Sequence, residues 1–511
     1  MSTVRQILKN TATGWISVLV RAALGIITIP FLLKALGADG LGLIAILGTI
    51  VGLSTVIDLG LRSALGQTLA EQVSLRNNEA FNQIITTALL LYILMSVLCA
   101  AVIYITAPGL VGILNVSEKL TPTAISLIRL YGTIAILISF ITPVFSAAIQ
   151  SNQRFDIVNT LQASTAVFSN ATIIVAISIS NFYILDWVVI MLFTQIASLL
   201  LLVIAFKKIC RENHISLTCI NFKRLLPLFN LGGYMYLIQL SATISDQSNP
   251  LILSGLSNMK SVGIYQPALS ISQALTPFVM TLTSQLYPTV TKYHLTGNSE
   301  GIKKIFIFGA RYTLLLGVLF SSGTFFFADS FAKLWLSPSI GDDYLIVAEL
   351  MRLFVIIDLL TYASGTQWPI LLGMRQLKYL TWLLLSTAIL NICTSIYLVA
   401  YTNLGVTGVL YGTIISKVIR VLALNRYVFK LVGVGVSEYL KVSIFKPALC
   451  LILTGSFAWL LVENFNSETW GELLCLSGAT FLAWAIIVWL SCLTTDEKSA
   501  IRQGKFKALT S

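Results

Sequence analysis

Charge is scarce in this sequence. Only 11% of the 511 residues are Asp, Glu, Lys or Arg, whereas 56% are hydrophobic, and the mean hydropathy is +0.87. A water-soluble chain of this length needs more charge to cover its surface. The segment from 83 to 106 has no charged residue, and apolar runs of about 18 residues or more are typical of membrane helices. Composition therefore argues against a soluble domain and predicts a polytopic membrane protein.

Cysteine and histidine are also few. The seven cysteines show no zinc-ligand spacing, and the two histidines, His214 and His294, lie in separate loops, so we expect neither a disulfide framework nor a metal or other cofactor. No G-x-x-x-x-G-K-[ST] phosphate loop occurs, which argues against an ATP-driven pump. Arg5 and Lys9 precede a segment long enough to span and remain in the membrane, so no cleavable signal peptide is expected.

Fourteen apolar segments are present, and short breaks with turn signals such as Gly37-Ala38-Asp39-Gly40 separate them. Their approximate cores are 12–33, 41–69, 83–106, 122–149, 156–179, 184–206, 228–256, 262–289, 305–327, 344–372, 379–401, 406–425, 442–462 and 470–492. We therefore predict an all-α polytopic membrane protein of about 14 transmembrane helices.

Lysine and arginine set the predicted orientation, because they favour cytoplasmic loops. With the N-terminus inside, the basic residues concentrate in the inside segments, and the outside segments hold only Lys34, Lys119, Lys260 and Lys333. We expect both termini to be cytoplasmic. Basic loops beside an anionic leaflet also account for the net charge of +12, so no nucleic-acid partner is expected.

An internal repeat is indicated at a spacing of about 220 residues. The matching positions are Asn10 with Asn230, Pro30 with Pro250, Arg129 with Arg352, and Gln153 with Gln376. The predicted domains are an N-lobe of helices 1–6 (1–215), a C-lobe of helices 7–12 (216–432), and helices 13–14 with a cytoplasmic tail (433–511). Two such six-helix lobes usually enclose a cavity and rock to give alternating access. Chance similarity between hydrophobic helices is the alternative interpretation.

Two arginines inside predicted helices have no acidic neighbour one turn away, namely Arg21 in helix 1 and Arg129 in helix 4. A charge at the bilayer centre costs at least about 2.5–3.5 kcal/mol, so each needs a partner or a ligand. Guanidinium groups bind phosphate bidentately and stay charged. We therefore favour an anionic ligand for both residues, and a diphosphate is a ligand that needs several arginines.

Other intramembrane cations have alternatives that remain open. A structural ion pair is an equal interpretation for Arg62, which follows Asp58 by four residues, and for Arg352, which follows Glu349 by three. Arg311 in helix 9 either binds the ligand or extends to the cytoplasmic surface. We expect Lys417 and Arg420, near the predicted end of helix 12, to extend to that surface.

Acidic and amide groups offer a candidate coupling site. Asp246 in helix 7 is an acid without a basic neighbour in sequence, and Asn391 with Ser395 in helix 11 could join it to bind H⁺ or Na⁺. Hydrogen bonding between helices is the alternative role for these side chains.

Three motifs carry a family resemblance. They are Pro30-x-Leu-Leu-x-x-Leu-Gly37 continuing through Gly40-Leu-Gly42, Asp58-Leu-Gly-Leu, and Gln150-Ser-Asn-Gln-Arg154. Together with the layout of helices 1–12, they resemble the polysaccharide-export branch of the multidrug/oligosaccharidyl-lipid/polysaccharide exporter superfamily, the O-antigen flippase type. The resemblance implies two six-helix lobes, a cationic cavity, and an undecaprenyl-diphosphate-linked oligosaccharide as substrate. Polysaccharide polymerase and chain-length machinery are further candidate partners.

The resemblance also carries over to individual positions. Related flippases of lipid-linked cell-wall precursors use arginines in helices 1 and 2, where Arg21 and Arg62 stand. Relatives that use sodium have an acid in helix 7, which Asp246 matches, whereas helix 11 offers Asn391 and then Ser395 in place of a second acid. Many members have twelve helices, so the role of helices 13 and 14 is open.

Two other function classes compete with a flippase. An ion-coupled multidrug antiporter of the same superfamily should favour an acidic cavity for cationic drugs, whereas the unpaired charges here are mainly arginines. A membrane polymerase or ligase tends to have a large outside loop with catalytic residues. The longest outside loops, around 107–121 and 328–343, have no convincing catalytic set, so we expect no enzyme activity.

Overall fold

The structure, a computed structural model, describes residues 3–54, 56, 61–116, 121–224, 226–465 and 467–502. Over these residues the chain forms helices and connecting turns, without strands. Ten of the described helical segments are long and apolar enough to cross a membrane. The prediction of an all-α polytopic membrane protein is confirmed.

The first compact unit contains 1–267 and 399–406. Its helices are α1 (Thr3–Ser54), α2 (Leu61–Leu75), α3 (Asn78–Ile113), α4 (Thr121–Leu127), α5 (Thr133–Ser151), α6 (Phe155–Ile179), α7 (Ile184–Ile209) and α8 (Leu226–Leu256), with a π-helical turn at Ile128–Gly132 and 3₁₀ turns at Leu217–Cys219 and Phe222–Arg224. Within this unit α1 packs against α6 and α8, and α5 packs against α2, α3 and α7.

The second compact unit contains 268–398 and 407–511. Its helices are α9 (Met259–Ser284, whose first residues belong to the first unit), α10 (Leu286–Leu295), α11 (Ser299–Phe326), α12 (Ala328–Ile340), α13 (Tyr344–Ala363), α14 (Gln367–Gly373), α15 (Leu377–Tyr401), α16 (Thr407–Val432), α17 (Val436–Tyr439), α18 (Lys446–Asn464), α19 (Trp470–Ile487) and α20 (Thr495–Arg502), with a 3₁₀ turn at Gly341–Asp343 and π-helical turns at Leu440–Phe445 and Val488–Cys492. In this unit α11 packs against α13 and α18, and α13 packs against α12 and α16.

Each of the fourteen predicted segments overlaps one or more of these helices. The single long helix α1 holds the first predicted span and residues 41–54 of the second, and α2 holds residues 61–69. Helices α8, α9 and α13 coincide with further predicted spans, which are not among these ten segments. The two compact units group the helices differently from the three predicted domains. The division into those three domains remains a prediction.

Glycines determine the shape of α1 and its packing in the first unit. Gly37 has φ 69°, a left-handed conformation that favours glycine, and this residue kinks α1 between the first two predicted spans. Beyond the kink, a Cβ added to Gly42 would lie 2.1 Å from the carbonyl oxygen of Met259. A Cβ added to Gly263 would lie 1.9 Å from the carbonyl oxygen of Ala38. The backbones of α1 and of the start of α9 therefore approach closely at both glycines.

A polar network ties the start of α1 to the start of α6. Asn10 donates from Nδ2 to the carbonyl of Gln153 (2.9 Å), and its Oδ1 accepts from the backbone N–H of Asp156 (3.0 Å). The buried carboxylate of Asp156 is paired with Lys9 (2.7 Å) and Arg154 (3.0 Å). The motif at 150–154 thus has a structural role at this junction.

Two helix ends near a predicted repeat match share a backbone conformation, which also occurs at Arg76 after α2. Gln153 after α5 has φ 59°, and Arg375 after α14 has φ 56°. The N–H of Gln153 donates to the carbonyl of Gln150, and the N–H of Arg375 donates to that of Leu372. The left-handed residue in the second half is therefore Arg375, one position before the predicted match, Gln376.

Candidate functional site

Arg21 lies on α1 with its side chain exposed. Its Nε donates to the carbonyl oxygen of Ser17 at 3.2 Å, one turn earlier on the same helix. The residue lies well inside the apolar segment 12–53, away from both of its ends. An exposed guanidinium at such a depth is available to an anion, because its described contact involves Nε alone.

Arg129 lies in the π-helical turn between α4 and α5 and contacts α3. Its Nε donates to the carbonyl oxygen of Tyr104 at 3.2 Å, and its Cζ lies 4.7 Å from the centroid of the Tyr104 ring. The π-helical turn presents the side chain toward α3, and such turns are frequent at functional sites. Among the described residues, the terminal nitrogens of Arg129 have no hydrogen-bond partner, so they remain for a ligand.

Arg352 of α13 makes the same backbone contact in the second unit. Its Nε donates to the carbonyl oxygen of Phe325 on α11 at 3.3 Å. Its terminal nitrogen forms an ion pair with Asp329 of α12, and both side chains are partly exposed. An ion pair was one of the two open interpretations for this residue, but the partner is Asp329 on another helix. Glu349, the acid three residues earlier, is exposed.

The prediction for Asp58 lies outside the described residues, and so does the side chain of Arg62. The backbone of Arg62 belongs to α2.

Arg311 is almost fully buried, with 1% of its side chain exposed. It forms an ion pair with Glu497 of α20, and it also donates to the hydroxyl oxygen of Tyr312 at 3.0 Å. Glu497 in turn accepts from the backbone N–H of Thr494 at 2.7 Å. In this conformation Arg311 does not reach a surface, and its ion pair connects α11 to α20, the helix that follows α19.

The carboxyl of Glu497 lies outside the apolar helices. Burial opposes its ionisation, but hydrogen bonds from the Tyr312 hydroxyl and the Thr494 backbone, together with the charge of Arg311, outweigh that effect. They hold the pKa of Glu497 below its ordinary value, so the pair is ionic at neutral pH.

The two residues proposed for ion coupling lie in different compact units. Asp246 is on α8 in the first unit, where its side chain is exposed. Asn391 is buried on α15 in the second unit, and its Oδ1 accepts from the hydroxyls of Ser395 (3.0 Å) and Thr413 (3.3 Å). The surroundings of Asn391 thus match the alternative interpretation, hydrogen bonding between helices.

Asp358 of α13 and Lys417 and Arg420 of α16 are charged residues within the helices of the second unit, and the sequence did not indicate them as a site. Asp358 of α13 is 8% exposed. Lys417 donates to Thr361, and the Nε of Arg420 donates to the hydroxyl of Thr387 at 2.9 Å. The expectation that Lys417 and Arg420 extend to the cytoplasmic surface is wrong, because α16 continues to Val432 and leaves both in its middle. The next helix-breaking residue in the sequence, Gly433, could have indicated this extension.

The helical fold and its apolar segments are those of a multi-pass membrane protein. Residues 7–294 match the profile of the polysaccharide biosynthesis protein family, more than half of the chain. The chain belongs to this family.

Two curated relatives are similar over long stretches. An uncharacterized membrane protein of Bacillus subtilis (strain 168), EpsK, is 21% identical over 484 residues, which cover 92% of each chain. A candidate O-antigen transporter of Shigella flexneri is 22% identical over 269 residues, or 51% of this chain and 60% of that protein.

Two solved structures share the fold. The lipid II flippase MurJ in an inward closed conformation has a TM-score of 0.71 at 16% identity, covering 96% of this chain and 99% of that chain. An inward-facing multidrug resistance transporter of the MATE family has a TM-score of 0.63 at 16% identity, covering 84% of this chain and 99% of that chain. The predicted resemblance to the superfamily that contains both is confirmed.

Proposed function

We propose that this protein is a flippase that translocates an undecaprenyl-diphosphate-linked oligosaccharide across the bacterial inner membrane by alternating access. The product would serve the assembly of O-antigen or another surface polysaccharide, in contact with polysaccharide polymerase and chain-length machinery. Membership of the polysaccharide biosynthesis protein family, the O-antigen transporter among its relatives and the fold shared with a lipid II flippase support this proposal. The distribution of basic residues supports cytoplasmic termini.

The arrangement of Arg129 carries the proposal. A guanidinium within a membrane protein needs an anionic or carbonyl partner. One carbonyl partner, on Tyr104, engages Nε and leaves the two terminal nitrogens for an incoming group. A phosphate accepts two parallel hydrogen bonds from such a pair of nitrogens. A diphosphate offers this geometry with a high charge, whereas a cationic drug does not.

The other arginines divide by their surroundings. Arg21 is exposed on α1 and is proposed as a second ligand for the diphosphate. Arg352 is held by Asp329, and a diphosphate would have to compete with that carboxylate for it. Arg62 is retained as a candidate on its sequence position alone. Arg311 is proposed as a structural residue, because Glu497 already neutralises it in a buried position.

A multidrug antiporter is the second candidate, because a MATE-family transporter has the same fold. That function requires a site for cations, and Asp246 is the exposed acid on α8 that would serve it. The same acid is the proposed site for H⁺ or Na⁺ if the flippase is ion-coupled.

The test is a gene deletion restored with the wild type, Arg129→Ala, Arg21→Ala or the control Arg211→Ala. Arg211 is exposed in the loop after α7, outside the apolar helices, so its removal takes away an equal charge without touching the proposed site. The readouts are surface polysaccharide and the membrane face on which the lipid-linked precursor accumulates. Membrane abundance is measured for every variant.

We expect the deletion to trap precursor on the cytoplasmic face. Arg211→Ala should restore the polysaccharide, and Arg129→Ala and Arg21→Ala should not, at equal abundance. Normal polysaccharide in the deletion strain, with no second flippase active, would refute the substrate assignment. Sensitivity of that strain to cationic drugs would then favour the antiporter.

A further inference from the structure

The chain between α7 and α8 carries large apolar side chains on its surface. Within residues 214–224, which we call the linker segment, 80% of Leu217 and 52% of Phe222 are exposed, and Ile215 is exposed as well. Leu217 and Phe222 begin the two 3₁₀ turns of this segment. Exposed leucine and phenylalanine side chains are unfavourable in water, so a group of them in one short segment indicates an interaction surface.

The linker segment folds back along α3. The backbone N–H of His214 donates to Oδ1 of Asn82 at 3.1 Å, and the backbone N–H of Asn221 donates to the hydroxyl oxygen of Thr87 at 2.8 Å. Thr87 follows the first residue of α3 by nine positions, or about 14 Å along the helix at about 1.5 Å per residue. It also lies inside the uncharged segment 83–106, which the sequence assigns to the membrane. The linker segment therefore lies beside α3 at the level where the membrane begins.

These contacts determine which side of the linker segment faces the protein. The Oε1 of Gln83 on α3 accepts from Nδ2 of Asn221 at 3.4 Å and from Nε of Arg224 at 3.2 Å. Polar groups of the segment are thus directed at α3, while the side chains of Leu217 and Phe222 remain exposed. Apolar side chains exposed at the level of the membrane surface are typical of segments that lie in the interface between headgroups and acyl chains.

Exposed lysines flank this apolar surface. Lys207 and Lys208 occupy the last turn of α7, and Lys223 lies in the second 3₁₀ turn. The single acidic residue between positions 207 and 224 is Glu212, which accepts from Nδ2 of Asn78 at the start of α3 at 3.0 Å. Lysines next to exposed apolar side chains complement a membrane surface that carries negative charge.

We propose that the linker segment is a binding surface for anionic phospholipids. Leu217 and Phe222 insert into the cytoplasmic leaflet, and the lysines at 207, 208 and 223 bind the phosphate groups of lipids such as phosphatidylglycerol. The position of Asn221 beside Thr87 favours a lipid over a soluble acidic protein, which would have to enter the headgroup layer to reach the segment. This surface does not depend on which substrate the protein moves.

The test uses a fluorophore attached to Cys219, which is partly exposed in the first 3₁₀ turn. The full-length protein, with its other cysteines replaced by alanine, is placed in nanodiscs of phosphatidylcholine and phosphatidylglycerol. A nitroxide on the acyl chain near the headgroup is carried by one lipid or the other at equal mole fraction. Quenching of the fluorophore measures insertion, and the ratio between the two labelled lipids measures selectivity for the anionic headgroup. Thermal unfolding shows whether each variant is folded.

We expect labelled phosphatidylglycerol to quench this parent protein about twofold more than labelled phosphatidylcholine, because lysines near the surface attract the anionic lipid. That ratio should fall to about one when Lys207, Lys208 and Lys223 are all replaced by glutamine. Leu217→Ser combined with Phe222→Ser should lower quenching by both lipids, because the segment no longer inserts. Phe222→Leu keeps an apolar side chain and should match the parent.

Leu295→Ser is the matched control for the loss of an exposed apolar side chain. Leu295 is 73% exposed at the end of α10, outside the linker segment, so its replacement should leave the quenching unchanged. No quenching by either lipid, equal quenching by both in the parent protein, or an equal loss in Leu295→Ser and in the double serine variant would overturn the proposal. Because transport is not measured, failure of the proposed function does not affect this result.

Discussion

Arg129 and Arg352 make the same contact in the two halves of the chain. The Nε of Arg129 donates to the carbonyl of Tyr104 at 3.2 Å, and the Nε of Arg352 donates to the carbonyl of Phe325 at 3.3 Å. The acceptors lie on α3 and α11, the apolar segments that come before the two arginines in the chain. The two sites then differ, because Arg352 has the additional partner Asp329. The same backbone contact thus accompanies an ion pair at Arg352 and leaves the terminal nitrogens of Arg129 for a ligand.

Replacing Arg129 by lysine should distinguish the effect of its positive charge from the effect of its hydrogen-bond geometry. Lysine keeps the positive charge but lacks the planar fork that donates to two phosphate oxygens. We expect Arg129→Lys to lower the rate of precursor translocation about tenfold at unchanged membrane abundance, which is the effect of losing roughly one good hydrogen bond. The same change at the exposed Arg211 should have no effect. Full activity of Arg129→Lys would show that charge alone suffices.

The buried ion pair between Arg311 and Glu497 should be sensitive to loss of one partner. Glu497→Ala leaves a buried guanidinium without its counter-charge, and such changes cost about 3–5 kcal/mol. Asp329→Asn removes the partner of the partly exposed Arg352 and should cost about 1 kcal/mol or less. Thermal unfolding of the detergent-solubilised variants gives the comparison. Equal destabilisation by the two changes would contradict the difference in burial.

The folded protein should also become less stable in acid, because Glu497 takes up a proton there. Its folded pKa lies below the ordinary value, so the stabilisation is present above that value and is lost as the pH falls through the folded pKa. The ordinary value for glutamate is about 4.3, so the loss should appear below about pH 4.3. Melting temperatures followed from neutral to acidic pH measure it. Glu497→Gln should lack this part of the acid dependence, and an unchanged profile would assign the effect to other carboxyls.

The close approach of α1 and α9 should make two glycines irreplaceable. In Gly42→Ala and Gly263→Ala the new methyl group meets a backbone carbonyl, which cannot rotate away as a side chain can. We expect each to cost about 1–3 kcal/mol. Gly48→Ala is the matched control on α1, since nothing lies within 4 Å of its added Cβ, and it should be neutral or stabilising. Equal unfolding temperatures for all three variants would contradict this packing.

Two cysteines in the loop region after α7 should differ in reactivity. Cys210 is buried with its Sγ 3.6 Å from the carbonyl of Ala148, and burial raises the pKa of its thiol to about 11. At about pH 8 only roughly one molecule in a thousand carries the reactive thiolate. In variants that keep one cysteine each, a maleimide should label Cys219, which is partly exposed, much faster than Cys210. Comparable rates would place Cys210 at an accessible surface.

Much of the fold was predictable because its signals are local. Apolar runs mark the spans, and the turn residues at 37–40 mark the break that the structure forms at Gly37. Charge partners were less predictable, because sequence shows only neighbours three or four residues away. The partner of Arg352 is 23 residues away on another helix, and that of Arg311 is 186 residues away. Only the packing of helices reveals such pairs.

The group around Asp358 was missed for a related reason. Its hydroxyl partners, Ser272 and Thr276, come from a helix more than 80 residues earlier in the chain. Lys417 was misplaced because the predicted span ends at 425, whereas α16 continues to Val432 and no glycine or proline stops it before then. When the end of a helix is predicted from polar residues instead of from a helix-breaking residue, charged residues near that end are assigned to the wrong depth in the membrane.

The bond between Arg129 and Tyr104 has a consequence for the entropy of binding. A free arginine side chain loses rotational freedom when it takes hold of a ligand, at a cost of about 0.5–1.5 kcal/mol. Here the Nε bond and the aromatic ring already restrict the plane of the guanidinium before any ligand arrives. The terminal N–H groups of Arg129 are therefore preorganised. A ligand with two oxygen atoms in the plane of the guanidinium gains affinity from this, whereas a spherical anion of equal charge does not.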